Sequence, residues 1–236
     1  MADRLDALAT QYGLDSRQAA ALARFLALLA ADEHAPTSVR DPVAAVDVHV
    51  ADSLAALPVL DDAIARGAPG LVADVGTGAG VPGIPLAVAR PQLRFDLIEA
   101  TNRKCAFLSG VLGELGLENA QVRCRRAEEL ARATARETYG VVLARAVAPL
   151  ATLVEYAAPL LAEGGRLIAW KGRPESGEER AGAHAAAQLG LEALAAQPVT
   201  PYQGSRNRSL YLYQKVSPCP PRFPRRPGVA QKKPLR

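Results

Sequence analysis

One stretch, Leu71-Val-Ala-Asp-Val-Gly-Thr-Gly-Ala-Gly-Val-Pro-Gly83, constrains this chain more than any other. Residues 71–75 are apolar apart from Asp74, the pattern of a strand buried within a sheet. Glycines follow at 76, 78 and 80, and a helix is expected to begin near Pro82 or Pro85. A strand, a glycine turn and a helix N-terminus bring bare backbone N–H groups close to a ligand with no Cβ in between. The motif therefore predicts a pocket for a nucleotide-like molecule.

Two ligand classes fit that pocket. Gly78-x-Gly80-x-x-Gly83 satisfies the dinucleotide pattern, so an NAD(P)-dependent oxidoreductase is one reading. The other is an enzyme of S-adenosylmethionine. Asp74 lies inside the strand, two residues before the first glycine, where such an enzyme can place an acid near the methionine end of its ligand. The frame Asp-x-Gly-x-Gly-x-Gly also sets its glycines one turn earlier than a dinucleotide site would. The next strand, over 95–99, ends on Glu99, which follows Gly80 by 19 positions. An acid there accepts hydrogen bonds from ribose hydroxyls in either class, so it supports the pocket without choosing the ligand.

Beyond residue 71 strands and helices alternate, which implies a mostly parallel sheet covered on both faces. Further strands are expected over 121–124, 139–144 and 166–170, with one helix ending near 90, one bearing Phe107, Leu108, Val111, Leu112 and Leu115, and others covering about 150–161 and 175–189. Two last strand candidates, 191–199 and 209–216, lie too close for a crossover helix and so pair as a hairpin. Five parallel strands closed by a hairpin match a Rossmann-like, seven-stranded class I methyltransferase sheet better than a six-stranded NAD-binding one. The first third reads as a helical extension. Asp15 or Ser16 caps a helix with Leu22, Phe25, Leu26 and Leu29 on one face, and Asp41-Pro42 opens another that runs to about residue 57. The expected organisation is an N-terminal helical extension over 1–60, an α/β domain over 61–216 and a tail over 217–236.

Charge singles out that tail. Seven Lys/Arg and no acids fall between Lys215 and Arg236, so the formal +4 of the chain conceals a net −3 over residues 1–214. Six prolines after Val216 predict an extended, disordered end, a candidate arm for a polyanion. The three cysteines, 105, 124 and 219, contain no Cys-x-x-Cys pair, which points to a reducing cytoplasm and no metal site. No apolar run is expected to approach the length of a membrane span, and the N-terminus lacks the order of a signal peptide.

The carboxyl ends of parallel strands line a ligand crevice, so residues just past each strand are the ones to read for chemistry. Arg125-Arg126-Ala127-Glu128 follows the third strand, where Ala127 and Glu128 are candidates for the adenine edge, and Glu128-Glu129 equally for first-turn acids of a helix. Arg145 follows the fourth strand; Lys171 and Arg173 follow the fifth. Neither an Asp/Asn-Pro-Pro-aromatic motif of amine methylation nor a Pro-Cys nucleophile stands at the fourth strand.

Taken together these residues resemble the bacterial RsmG/GidB family of 16S ribosomal RNA guanine-N7 methyltransferases. The likeness rests on Asp74-Val-Gly-Thr-Gly-Ala-Gly-Val-Pro-Gly-Ile-Pro-Leu86, Thr37-Ser-Val-Arg-Asp-Pro42, His49-Val-Ala-Asp-Ser-Leu54, Ala144-Arg-Ala146 and Lys171-Gly172, in order and spacing. It runs from about residue 15 to 216, and the tail's Pro227-Gly-x-Ala230 and Lys232-Lys-Pro-Leu235 resemble those of actinobacterial members. One departure is Ala31-Asp-Glu-His-Ala-Pro36, where the family usually carries a Trp and Tyr-Asn-Leu. The resemblance implies S-adenosylmethionine as cofactor, held by Gly76, Gly78, Val81, Glu99, Ala127, Glu128 and Arg145. It implies methylation of guanine 527 in the 530 loop of 16S rRNA, as free RNA or within a small-subunit assembly particle, by a cytoplasmic monomer. Arg145 and Lys171 are expected to orient the base or its phosphates, with Arg40, His49 and Arg208 widening the RNA surface. A methyltransferase of small molecules or proteins, and a non-catalytic rRNA-binding module, remain alternatives.

Overall fold

The computed structural model describes residues 1–33, 35–39 and 41–235. Five parallel strands form the centre: β1 (Leu71–Val75), β2 (Arg94–Glu99), β3 (Ala120–Cys124), β4 (Tyr139–Arg145) and β5 (Leu161–Lys171). Three further strands, β6 (Leu191–Ala193), β7 (Gln197–Pro198) and β8 (Ser209–Lys215), complete an eight-stranded sheet. Its order is β3-β2-β1-β4-β5-β8-β6, with the short β7 also on β8. β8 runs antiparallel to both β5 and β6. The expected hairpin thus exists, and its second strand inserts beside β5. The reversal of strand order falls between β1 and β4, the switch point at which such sheets bind ligands.

Both faces are covered, and alternate residues of one strand sort between them. Val72 belongs to a core shared with α1 (Ala2–Tyr12), α2 (Ser16–Ala31), α3 (Pro42–Ala45), α4 (Asp52–Leu54), α5 (Leu57–Ala65), α6 (Gly83–Ala89) and α7 (Asn102–Leu115). Ala73 and Val75 face the opposite core, with α8 (Ala127–Ala133), α9 (Leu150–Ala157) and α10 (Glu178–Gln188). The N-terminal helices share the core of the sheet: Leu5, Leu8, Leu22, Phe25, Leu26 and Leu29 are all buried in it. Asp15 caps α2 in a reciprocal capping box with Gln18, and Asp41 caps α3 ahead of Pro42.

Two features depart from expectation here. The helix opened by Pro42 relaxes into a π-helical segment, Val46–Ala51, before α4, and breaks ahead of α5. Pro42–Ala65 is also apolar and long enough by composition to cross a bilayer, yet 67% of its most apolar window is buried inside the protein, as in a core helix. The second departure is a disulfide between Cys105 and Cys124, with Cα atoms 5.8 Å apart. Their separation of 19 residues hid this pairing, because the parallel pairing of β3 with β2 sets Cys124 opposite Glu99, beside the first turn of α7 that holds Cys105.

The largest correction concerns the tail. Residues 217–235, expected to be disordered, wrap as an ordered strap over the α8/α9 face and end in α11 (Val229–Lys232). Cys219, Phe223 and Ala230 are buried, and Arg136 donates to the carbonyls of Cys219 and Phe223, both at 2.7 Å. Arg132 donates to Pro224 O at 2.8 Å, and Thr152 Oγ1 to Ala230 O at 3.3 Å. Arg225 pairs with Glu155, which α9 holds only 1% exposed. Prolines without N–H groups suit a segment whose carbonyls are taken by arginines from the body of the protein. Replacing Arg225 by Met should strand the Glu155 carboxylate and lower stability by about 2–4 kcal/mol in urea unfolding; an unchanged midpoint would rule out the clamp.

Candidate functional site

Asp74 shapes the turn. It is 1% exposed, and its Oδ2 accepts hydrogen bonds from Thr77 Oγ1 at 2.6 Å and from the Gly83 N–H at 2.8 Å. The carboxylate therefore ties the end of β1 to the middle of the turn and to the first residue of α6. Only glycine fits at 83, because a Cβ would strike Leu97 and sit 2.7 Å from Asp74 Oδ2. Burial, opposed by those two hydrogen bonds, pushes the Asp74 carboxyl up to about 6. Asp74 thus builds the turn from beneath, although the sequence placed it beside the ligand.

The turn opens onto a cavity of about 170 Å³ lined by Gly76, Glu99, Ala127, Glu128, Tyr156 and Gln231, among others. Gly76 holds φ +69°, and a Cβ there would meet Val147 at 2.9 Å, so bare backbone is required. Glu99, at the tip of β2, is 7% exposed; its Oε1 accepts the N–H groups of Ala100 and Thr101, each at 2.9 Å. Its Oε2 has the Lys104 ammonium 3.8 Å away. Glu128 lies in the first turn of α8, as the first-turn reading allowed, and its Oε1 accepts the Gly228 N–H at 3.1 Å. Four of the predicted cofactor residues, Gly76, Glu99, Ala127 and Glu128, therefore converge on one cavity. Gly78 and Val81 belong to the same turn but are not among its lining residues, and Val81 packs into the core instead.

Val147 is also a wall of a second cavity, about 980 Å³, at the ends of β4 and β5. Ala146, Ala148, Pro149, Lys171, Arg173 and Glu178 line it, as do Pro234 and Leu235 of the strap. Ala146 holds φ +57°, a sparsely populated conformation for a residue with a side chain and one that clusters at functional sites. Lys171 Nζ lies 2.6 Å from Glu178 Oε1, which also accepts the Leu150 N–H at 2.9 Å. Burial would raise the Glu178 carboxyl, but the Lys171 hydrogen bond and the Leu150 N–H outweigh it, and the net shift is downward.

Arg145 is placed differently from its predicted role beside the cofactor. Its Nη1 donates to the Val48 carbonyl at 2.8 Å and to Asp52 Oδ2 at 2.9 Å, and it does not line the smaller cavity. Asp52 is fully buried; its Oδ1 lies 3.6 Å from Arg208 Nε, and its carbonyl accepts the Trp170 indole N–H at 2.9 Å. Asp52 therefore braces two rim arginines from the N-terminal helices. The sequence places Asp52 in the His49–Leu54 motif but gives it no role, because its partners lie more than ninety residues away. His49 is 4% exposed, with Nε2 2.9 Å from Thr37 Oγ1, and burial with the nearby Arg145 charge pushes it down to about 4. A neutral, enclosed imidazole is no cationic RNA contact, which corrects its predicted place on the RNA surface. Arg40 lies outside the described residues.

This sheet order, with a glycine turn after β1 and an acid closing β2, defines the class I S-adenosylmethionine-dependent methyltransferase fold. Solved structures agree at the level of fold. A ribosomal protein L11 methylase from Lactobacillus delbrueckii subsp. bulgaricus superposes with TM-score 0.51 over 70% of this chain and 79% of that one, at 16% identity. The O-methyltransferase NcsB1 of neocarzinostatin biosynthesis, solved with S-adenosylmethionine, gives 0.51 over 70% of this chain and 55% of its own, at 18% identity. The narrower assignment comes from sequence: residues 17–205 match the GidB family, rRNA small subunit methyltransferase G, and the chain belongs to it. Ribosomal RNA small subunit methyltransferase G of Chloroflexus aggregans is 43% identical over 203 residues, 84% of this chain and 82% of that protein. The protein of the same name from Roseiflexus castenholzii is 39% identical over 238 residues, 99% of each chain.

Asp74 yields a pH signature. Its folded-state value of about 6 exceeds the ordinary 3.8, so its contribution to stability is full below pH 3.8 and is lost as pH rises through 6. Relative to Asp74→Asn, which keeps an acceptor for Thr77 and Gly83, the unaltered chain should lose about 2 kcal/mol between pH 4 and 6.5 and then level off. Denaturant titrations of both proteins across that range test this; a flat difference would contradict it.

Proposed function

We propose that this chain transfers the methyl group of S-adenosylmethionine to N7 of a guanine in the RNA of the small ribosomal subunit. The observation that carries the reading is the crevice in which two unlike cavities meet at Val147. One holds the glycine turn with Glu99, Glu128, Arg125 and Arg126, and the other an apolar wall of Ala146, Ala148 and Pro149 with Lys171, Arg173, Glu175 and Glu178. The first fits a nucleoside with a charged sulphur, because Gly76 presents bare backbone at the cavity wall and Glu99 presents a carboxylate for a ribose diol. When bound, S-adenosylmethionine supplies an electrophilic methyl group.

The remaining work belongs to the chain. Glu99 holds the ribose hydroxyls, the backbone at Gly76 lets the ligand lie close, and Ala127 with Glu128 borders the adenine. Beyond Val147, Lys171 and Arg173 hold the RNA phosphates or the guanine O6, which accepts hydrogen bonds as N7 does. Asp52 holds Arg145 through Nη1, and the other edge of that guanidinium meets the RNA, with Arg208 beside it. Guanine N7 carries an unprotonated lone pair, so no residue need remove a proton before attack. Alignment of the two partners is the protein's task, and such positioning supplies ~7–11 kcal/mol of a barrier. Names borne by the relatives, ribosomal RNA small subunit methyltransferase G, support the substrate class.

Isothermal titration should show saturable binding of S-adenosylmethionine and none of NAD. Ribosomal RNA from cells lacking the gene should lose one N7-methylguanine that the restored gene returns. If the RNA is unchanged and methyl label enters protein or small molecules, the substrate assignment fails. Lys171→Gln should leave cofactor affinity within about two-fold and reduce methyl transfer to small-subunit RNA about ten-fold or more, the scale of one lost contact to RNA. Arg145→Ala is a poor probe, because it strands the buried Asp52 carboxylate. Arg145→Lys keeps the charge, and should retain the fold while losing most of the transfer rate.

A further inference from the structure

The strap runs past the cofactor cavity, and its course from anchor to anchor sets where it can contribute. Arg225 is clamped to Glu155, and the Gly228 N–H donates to Glu128 Oε1 at 3.1 Å. Ala230 is 2% exposed, with its carbonyl bonded to Thr152 Oγ1. The next residue, Gln231, lines the same cavity as Gly76, Glu99, Ala127 and Glu128. Three residues further on, Pro234 and Leu235 line the larger cavity with Lys171 and Arg173. The strap therefore crosses the crevice from its cofactor side to its RNA side, and one fixed residue precedes the amide at the first of these.

We propose that the C-terminal strap is a wall of the cofactor site and that Gln231 is a cofactor-binding residue, its amide meeting the adenosyl part of S-adenosylmethionine. The inference rests on the proposed function for the identity of the ligand. The chemistry of the wall selects the adenosyl end. Glu99 and Glu128 offer only acceptors while ionised, which suits ribose hydroxyls and an exocyclic amine. An adenine ring and a ribose also present acceptors, which carboxylates cannot satisfy. The Gln231 amide both donates and accepts, as the Tyr156 hydroxyl on the same wall does, whereas Arg125 and Arg126 only donate; Gln231 is the group among these that the strap brings to the cavity. Docking the strap through Glu128 and Glu155 places that amide before any ligand arrives, so little is lost in ordering it.

The test uses the full chain. Calorimetry with S-adenosylmethionine and with S-adenosylhomocysteine, which share the adenosyl group, compares the unaltered protein with Gln231→Ala. The expected result is an equal loss of about 3- to 10-fold for both ligands, the scale of one neutral hydrogen bond, at an unchanged melting temperature because Gln231 is exposed. Tryptic cleavage after Lys232 in the unaltered chain should slow when either ligand is added. Unchanged affinity in Gln231→Ala overturns the role of the strap while leaving the cofactor reading intact. A loss confined to S-adenosylmethionine overturns the adenosyl assignment. Failure of the unaltered chain to bind either ligand overturns the cofactor reading, and the role of the strap with it.

Discussion

A carboxylate hidden from water organises the centre of this molecule. Asp74 accepts from Thr77 and Gly83 at once, so the end of β1, the glycine turn and the start of α6 move as one piece. Burying an ionisable group is costly, and the upward shift of Asp74 to about 6 records that cost. Its return is geometric: the turn stays rigid without side chains on its ligand face, and Gly76 can sit where a Cβ would collide with Val147. The glycines alone make such a turn possible. The buried acid makes it singular.

A second buried acid does comparable work at the rim. Asp52, carried by the N-terminal helices, reaches Arg145 at the tip of β4 and approaches Arg208 ahead of β8, while its own carbonyl holds Trp170 on β5. Three parts of the chain are thereby registered against one another at the mouth of the crevice. An unpaired carboxylate at that depth would be strongly destabilising, so the arginines serve the fold as well as any ligand. This explains why the N-terminal helices are integral to the site and share the core of the sheet.

Both cavities of the crevice carry charges of both signs. Glu99, Glu128, Arg125 and Arg126 border the one beneath the glycine turn, and Lys171, Arg173, Glu175 and Glu178 border the one past Val147. Val147 is a wall of both, so two reactants, a nucleoside cofactor and a nucleic acid, can meet across a narrow boundary. The strap spans both halves, and the basic residues that drew notice in the sequence ride on an ordered segment.

Much of this was legible in the residues themselves. Apolar runs of four to six residues separated by helical stretches announce parallel strands, and the spacing from Gly80 to Glu99 places an acid at the second strand's tip. These are local or near-local signals, carried by periodicity and by residues that only certain backbones accept. The convergence of Gly76, Glu99, Ala127 and Glu128 follows from them, because parallel strands present their carboxyl ends on one side. What only the tertiary structure decided were the partnerships across distance. The pairing of Asp52 with Arg145, the enclosure of His49, the bridge between Cys105 and Cys124 and the docking of residues 217–235 all depend on neighbours that no window of sequence contains. A proline-rich basic end reads as disordered by composition, since composition counts the apolar surface a segment carries. It cannot count the arginines and the glutamate that the folded body holds out to receive it.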